Sequence, residues 1–191
     1  LVVNNPLTLP DGSSEALSVS NLVLNTFSGN PDDAQFILTA LPQHGDLLLN
    51  GAALGVGDVF TQADILAGAV VYANNGDGNT ADNFLFDAVD TGTGSWLHAQ
   101  VFDIIILQND LAVTAEVTQP LLCRDGATAK IPVQVAGGTP PLVFSLNGGT
   151  GQFLNVFGNL SAGMYTVVVT DDYGFTAEAN VVVDNPPALN L

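Results

Sequence analysis

The chain has 191 residues and a mass of 19.7 kDa, which is enough for one large or two ordinary domains. It carries 19 Asp and Glu residues against 2 Lys and Arg residues, a formal net charge of -17. Binding to nucleic acid depends on basic side chains that displace counterions from phosphates, and Arg124 and Lys130 are the whole supply. The charge therefore excludes most nucleic-acid roles, and an anionic membrane surface repels such a chain for the same reason.

Hydrophobic residues make up 47% of the chain and charged residues 11%, a composition that can bury cores and does not predict disorder. The longest apolar run, residues 104–107, ends at Gln108 and is too short to span a bilayer. The single cysteine, Cys123, cannot form an internal disulfide, and we expect it to be a buried free thiol. Because the sequence starts at Leu1 without an initiator Met or a signal segment, we expect a segment of a longer or processed protein.

Short runs rich in β-branched residues are separated by Gly and Pro along the whole chain, as in residues 167–170 and 181–183. In residues 84–90, Phe84, Phe86 and Ala88 alternate with other residues, the two-residue period of a half-buried strand. No long segment keeps a helical period. The pattern predicts an all-β fold made of sandwiches.

Residues 108–110 predict a domain boundary, because an apolar strand ends there in polar residues before a new alternation begins. The predicted domains are residues 1–108 and residues 109–191. The first contains 12 acidic and no basic residues, a charge of -12, and the second contains 7 acidic and 2 basic residues, a charge of -5. The first domain is therefore the more acidic.

Local signals support this assignment. Asn50 and Gly51 form a dipeptide that favours a tight hairpin, and residues 147–149 do the same in the second domain. Thr61 precedes Asp64 by three residues, close to a capping box, which predicts one short helix ending near Gly68.

Catalysis has little support in the sequence. His44 and His98 are the only histidines, no nucleophile elbow is present, and both histidines are interpreted as exposed or hydrogen-bonded structural residues. The acidic pairs at residues 32–33 and 171–172 are poor candidates for a catalytic acid and base, because neighbours in a strand point to opposite faces. We interpret them as turn residues that accept backbone N–H groups.

The first domain contains four ordered motifs: P-x-x-G-x-L from Pro42, F-T-Q-A-D-I from Phe60, G-x-V-x-Y from Gly68 and D-x-F-x-F from Asp82. This succession resembles the cadherin-like repeat of the chondroitin-sulfate-proteoglycan type over roughly residues 4–108. The resemblance implies an immunoglobulin-like sandwich that serves extracellular adhesive proteins.

The second domain contains G-G-T-P-P at residues 137–141 and N-L-x-A-G-x-Y-T-V-x-V-T-D-x-x-G at residues 159–174. These motifs are similar to the SprB-type repeat of bacterial cell-surface and gliding adhesins over roughly residues 112–187. The chain departs from that pattern at Phe175, where the family often has Cys, and at Leu142, where it often has an aromatic residue. The resemblance implies a second immunoglobulin-like sandwich.

Calcium is the one inorganic cofactor that the sequence suggests, since hard cations bind Asp, Asn and carbonyl oxygens. The resemblance to cadherins implies a site at the domain junction, with Asn109 and Asp110, and with Glu15 and Asp90 if the fold brings their loops to that end. The full calcium linker motif of cadherins is not in the sequence. Solvated acidic loops are the alternative interpretation.

Exposed aromatic residues are the candidates for carbohydrate binding. Trp96 follows a Gly-rich turn and Tyr173 precedes Gly174, and both are predicted to be exposed, whereas most of the ten Phe residues are predicted core. The alternative for Trp96 is a partly buried packing residue.

Together these features favour a non-catalytic segment of a large modular bacterial adhesin or filament protein, secreted to the cell surface. Its expected partners are neighbouring repeats, identical subunits, surface glycans or proteins. One alternative is a filament subunit in which the apolar residues 1–3 add to the sheet of the next copy, so that removing residues 1–5 abolishes assembly. Another is a carbohydrate-binding module, whose glycan binding Trp96→Ala would remove.

Overall fold

The structure is a computed structural model that describes residues 1–187; residues 188–191 of the predicted second domain lie outside that range. The chain divides into two compact units, Leu1–Gln108 and the residues from Asn109 onward. Within residues 1–187, no helix has both the length and the apolar character that a membrane span requires.

The first unit contains one short α-helix, α1, one 3-10 turn and eleven strands. Their bounds are β1 Val3–Asn4, β2 Leu7–Pro10, β3 Ser14–Ala16, β4 Leu22–Val23, the 3-10 turn Pro31–Asp33, β5 Ala34–Ala40, β6 Gly45–Leu49, β7 Ala52–Ala53, β8 Val59–Thr61, α1 Gln62–Leu66, β9 Val70–Asn74, β10 Ala81–Asp90 and β11 Ser95–Leu107.

Two sheets enclose the core of this unit. One has the strand order β2-β11-β10-β5-β8, the other has the order β3-β9-β6-β7, and β1 pairs separately with β4. The long hairpin of β10 and β11 is the centre of the first sheet, with cross-strand partners from Ala81–Ile105 to Asp90–Ser95. β2 lies parallel to the last four residues of β11. The unit is therefore a β-sandwich built around one hairpin.

Aromatic rings fill the space between the sheets. Phe84 stacks on Phe102 with ring centroids 4.9 Å apart, and Phe36 stacks on Phe60 at 5.1 Å. Phe86 joins the two pairs, 5.6 Å from Phe36 and 5.9 Å from Phe84. All five rings are fully buried. The alternation predicted for residues 84–88 is confirmed, since Phe84, Phe86 and Ala88 face this core.

The predicted turn and helix are both present. Asn50 and Gly51 have positive φ values of 51° and 82° and connect β6 to β7 as a two-residue hairpin. Thr61 caps α1: its side chain accepts the backbone N–H of Asp64, and the Asp64 carboxylate accepts the backbone N–H of Thr61 at 2.8 Å. The capping box is confirmed.

Within residues 109–187, the second unit has six strands in two three-stranded sheets, of order β12-β13-β15 and β14-β16-β17. Their bounds are β12 Ala112–Ala115, β13 Ala129–Ala136, β14 Val143–Leu146, β15 Val156–Leu160, β16 Gly163–Thr170 and β17 Thr176–Val183. The core between the sheets consists of aliphatic residues such as Ile131 and Val167, with Phe144 and Phe157. The predicted all-β fold is confirmed for both units.

One expectation about an individual side chain is wrong. Cys123 is exposed rather than buried, because the connection between β12 and β13 places it outside the core. The prediction that most of the ten Phe residues are core is confirmed, since seven are buried, whereas Phe27 and Phe153 lie outside the cores with 91% and 75% of their surface exposed. A free thiol or a ring in an irregular loop has no strand alternation that fixes its direction.

Phe84→Ala should destabilise the first unit by about 3–5 kcal/mol, because it removes a buried ring that packs against three others and leaves a cavity. Urea unfolding followed by the fluorescence of Trp96, the only tryptophan, reports on this unit. Phe27→Ala removes the same side chain from an exposed position and is the matched control. Equal midpoints for the two variants would contradict the core assignment.

Candidate functional site

Trp96 lies on β11 with 51% of its surface exposed, on the face of the hairpin that points away from the core. Its ring is parallel to that of His98, with centroids 5.5 Å apart and an interplanar angle of 9°. His98 Nδ1 lies 2.8 Å from Asp87 Oδ2, and Asp87 Oδ1 accepts the backbone N–H of Ala99 at 2.8 Å. These hydrogen bonds lower the pKa of Asp87 below its usual value, and the bond with His98 has the largest effect.

This arrangement fixes the direction of the indole. Because His98 covers one face of the Trp96 ring, the indole offers less flat surface to a sugar than an isolated exposed tryptophan would. About half of the Trp96 surface, 51%, remains exposed for contacts with an apolar partner.

Tyr173, the other candidate for ligand binding, lies in the second unit and is 40% exposed. It belongs to a turn organised by Asp171, whose Oδ1 accepts the backbone N–H groups of Tyr173 and Phe175 at 3.0 and 2.9 Å. Asp171 Oδ2 accepts the N–H of Thr139 at 2.9 Å. The turn interpretation of residues 171–172 is confirmed at Asp171, and Tyr173 stays a prediction as a ligand-binding residue.

The structure does not bring Asp90 to the end of the first unit at which the chain continues to residue 109. Asp90 pairs with Ser95 beside the hairpin turn, whereas Leu107 pairs with Pro10 at the opposite end of β11. Ten residues of strand separate the two ends, about 30 Å. Asp90 Oδ2 accepts the backbone N–H of Phe27 at 3.0 Å, and Asp90 Oδ1 accepts the backbone N–H of Gly92 at 2.9 Å. These hydrogen bonds lower the pKa of Asp90, and the bond from Phe27 has the largest effect. The structure thus places Asp90 at the opposite end of the first unit from Leu107, and its role as a calcium ligand stays a prediction.

The other calcium candidates lie on two different units. Glu15 is exposed on β3 opposite Tyr72 in the four-stranded sheet. Asn109 Oδ1 accepts the N–H of Leu111 at 3.2 Å, and Asp110 Oδ1 accepts the N–H of Gly138 at 2.9 Å. Across residues 1–187, no three His, Cys, Asp or Glu side chains lie together in a way that could hold a metal ion.

A buried polar network that the sequence did not indicate lies at the end of the first unit near Leu107. Asp82, 8% exposed, accepts four hydrogen bonds: from the backbone N–H groups of Gln43, His44 and Asn83 and from the Tyr72 hydroxyl, at 2.8–3.0 Å. Burial raises the pKa of the Tyr72 hydroxyl far above its ordinary value, so it donates to Asp82 at any physiological pH.

Gly45 completes this network by allowing close packing. A Cβ atom at this position would meet the backbone oxygen of Ala73 and would lie 2.6 Å from Cζ of Tyr72. Only glycine leaves room for the Tyr72 ring to pack against β6 and reach Asp82. Gly45, Tyr72 and Asp82 are one residue each from three of the four motifs in the first unit, so the motifs specify a shared packing arrangement.

His44 links the network to the surface. Its Nδ1 atom lies 2.7 Å from Asp77 Oδ2 and 2.9 Å from Asn79 Nδ2. Hydrogen bonds from Asn79 and from His44 lower the pKa of Asp77 from 3.8 to about 2. The two histidines of the chain therefore each pair with one aspartate, so both are hydrogen-bonded as predicted.

Comparison with known proteins identifies the first unit. The profile of the Cadherin-like family matches residues 1–106, more than half of the chain. The chain belongs to the Cadherin-like family. The buried polar residues Asp82 and Tyr72 of the first unit are therefore part of a cadherin-like sandwich.

Three human proteins are similar to part of this chain. FRAS1-related extracellular matrix protein 2 is 32% identical over 89 residues, 47% of this chain and 3% of that protein. FRAS1-related extracellular matrix protein 1 is 30% identical over 103 residues, 52% of this chain and 5% of that protein. Extracellular matrix organizing protein FRAS1 is 34% identical over 94 residues. The chain thus spans 2–5% of the length of these relatives.

Among solved structures, the chain is similar to a C-terminal 282-residue fragment of intimin in complex with the intimin-binding domain of its translocated receptor. The TM-score is 0.37 at 11% identity, covering 85% of this chain and 56% of that one. It is also similar to extracellular cadherin domains 1–5 of protocadherin gamma B2, with a TM-score of 0.31 at 13% identity, covering 95% of this chain and 38% of that one.

Gly45→Ala should lower the stability of the first unit by about 1–3 kcal/mol, since the added methyl group overlaps Tyr72 and the backbone of Ala73. Gly55→Ala is the matched control, because there a Cβ would meet only Asp58 Oδ2 at 3.6 Å. Urea midpoints measured through Trp96 fluorescence compare the two variants. A Gly45→Ala protein as stable as the wild type would contradict the packing argument.

The Asp77 carboxylate should make the first unit lose stability in acid. Because its folded pKa is about 2 and its ordinary pKa is 3.8, its contribution is present above about pH 4 and is lost as the pH falls toward 2. Asp77→Asn should therefore flatten this part of the curve of urea midpoint against pH. Asp46→Asn removes an exposed carboxylate of equal charge and is the control; an equal flattening in that variant would contradict the assignment to Asp77.

Proposed function

We propose that the chain is a non-catalytic segment of a large extracellular modular protein, in which two sandwich domains, residues 1–108 and 109–191, serve as a spacer and as an adhesive module. The observation that carries the proposal is the membership of the first unit in the Cadherin-like family. Three relatives that are named as extracellular matrix proteins support an extracellular setting. A chain that covers so little of its relatives fits a repeat within a much longer protein.

The bacterial surface and the SprB-type identity of the second unit belong to the same proposal. They are supported by the motifs at residues 137–141 and 159–174 and by the sandwich that these residues form. In the structure, the first motif leads into β14 and the second covers β16 and the turn at Asp171.

The filament alternative is less well supported. Val3 and Asn4 pair with Val23 and Leu22 of the same unit, and the N–H of Val2 donates to the carbonyl of Val23 at 2.9 Å. Strand addition between copies would first have to release this pairing. Sedimentation of the full chain and of a chain without residues 1–5 separates the two, since only a filament subunit forms large species that the deletion removes.

The adhesive role can be tested with beads coated with the folded chain. They should be retained on a surface of extracellular matrix more strongly than beads coated with the chain unfolded by heat, because recognition depends on the folded sandwich. The matched control compares two kinds of beads at one temperature, above the melting temperature of the Phe84→Ala variant. One kind is coated with that variant, which is unfolded there, and the other with the folded wild type. Retention that does not depend on folding would contradict the proposal.

Calcium should raise the melting temperature no more than magnesium at the same concentration. The carboxylates of Asp90 and Asp110 already accept backbone N–H groups, so screening of the -17 charge is the expected effect of either ion. A site that binds the folded state specifically would raise the melting temperature by mass action. A calcium-specific rise that disappears in Asp110→Asn would overturn this expectation and establish the junction site.

A further inference from the structure

The outward face of the five-stranded sheet carries large apolar side chains on four neighbouring strands. Cross-strand partners share a face of a sheet, and the register aligns Val59 with Ile37, Leu85 with Val101 and Ala81 with Ile105. We call these the apolar face: Ile37, Val59, Leu85, Trp96, Val101 and Ile105.

Several of these side chains are well exposed. The exposed fractions are 40% for Val59, 51% for Trp96, 43% for Val101 and 42% for Ile105. The outward positions of a sandwich in water normally carry polar residues. In residues 1–108, all of which the structure describes, the strands of the other sheet contribute none of the large exposed apolar side chains. One side of the unit is therefore set apart as an interaction surface.

The charges around the apolar face select its partner. Asp87, which pairs with His98, and Asp103 lie on the same face, as partners of Ile37 and Asn83, and the first unit has no Lys or Arg that could neutralise them. A second copy would bring another -12 charge against this one, so self-association is disfavoured. Acidic glycans are repelled in the same way, and Val and Ile offer a neutral sugar no hydrogen bonds.

We propose that the apolar face binds a protein surface in which apolar side chains are flanked by Lys or Arg. The apolar contacts supply the burial, and basic groups of the partner pair with Asp87 and Asp103 and lie against the open side of the Trp96 ring. This inference rests on the proposed adhesive function and specifies the chemical class of its partner.

The probe is a synthetic peptide in which leucine alternates with lysine, so that an extended strand presents one apolar and one basic face. The full chain should bind it with a change in Trp96 emission and with amide shifts confined to β5, β8, β10 and β11. Binding should weaken with added salt. Peptides that alternate leucine with glutamate, or serine with lysine, should bind at least about tenfold more weakly. The first peptide lacks the basic groups and the second lacks the apolar groups.

Two variants test the location. Val101→Asn with Ile105→Asn removes exposed apolar groups without changing the charge and should weaken binding about tenfold while the melting temperature stays close to that of the wild type. Leu154→Asn, at a 74% exposed position of the second unit, is the control and should bind normally. Asp103→Lys should weaken binding of the leucine–lysine peptide and strengthen that of the leucine–glutamate peptide.

Equal binding of the leucine–glutamate and leucine–lysine peptides would overturn the proposal, as would shifts that map outside these four strands. A wild-type dimer that is dissociated by the double variant Val101→Asn with Ile105→Asn would also overturn it, because the apolar face would then bind a second copy of the chain. If bead adhesion to matrix persists while every peptide fails, the apolar face proposal is wrong and the adhesive function stands. If bead adhesion fails while the leucine–lysine peptide binds, the adhesive function is wrong and the apolar face proposal stands.

Discussion

The antiparallel pairing of β10 with β11 determines both the inside and the outside of the first unit. Because side chains alternate along a strand, the register that aligns Phe84 with Phe102 in the core also aligns Leu85 with Val101 on the outer face. A shift of one residue would exchange the two sets. The aromatic core, which strongly favours one register, therefore also fixes the composition of the exposed surface.

Backbone amides take the place of basic side chains in this unit. With no Lys or Arg in residues 1–108, Asp58 accepts the N–H of Gly55, Asp64 that of Thr61, and Asp82 three N–H groups. Such bonds stabilise the ionised carboxylate and hold loops to strand ends. The acidic composition is thus partly architectural, and carboxylates used in this way have fewer oxygens free for a metal ion.

The sequence predicted what depends on neighbouring residues. The two-residue hairpin at Asn50, the capping box at Thr61 and the alternation at Phe84 are all local patterns, and all three are present. Three of the four hydrogen bonds to Asp82 join residues 10 to 39 positions apart, and the pairing of Asp90 with Phe27 spans 63 positions. No periodicity encodes such contacts, because they depend on which strands become neighbours. For the same reason the position of Asp90 at the far end of the hairpin could not be foreseen.

The motif residues and the apolar face have different roles: the former stabilise the fold, and the latter is the proposed binding surface. Gly45, Tyr72 and Asp82 face inward and hold two sheets together, so a sequence that keeps them keeps the sandwich whatever it binds. Trp96, Val101 and Ile105 lie outside the motifs, and their replacement would leave the core packing intact. Membership in the family therefore determines the scaffold. The choice of partner rests on the outer face, where apolar area and two carboxylates occur together on a unit that has no Lys or Arg.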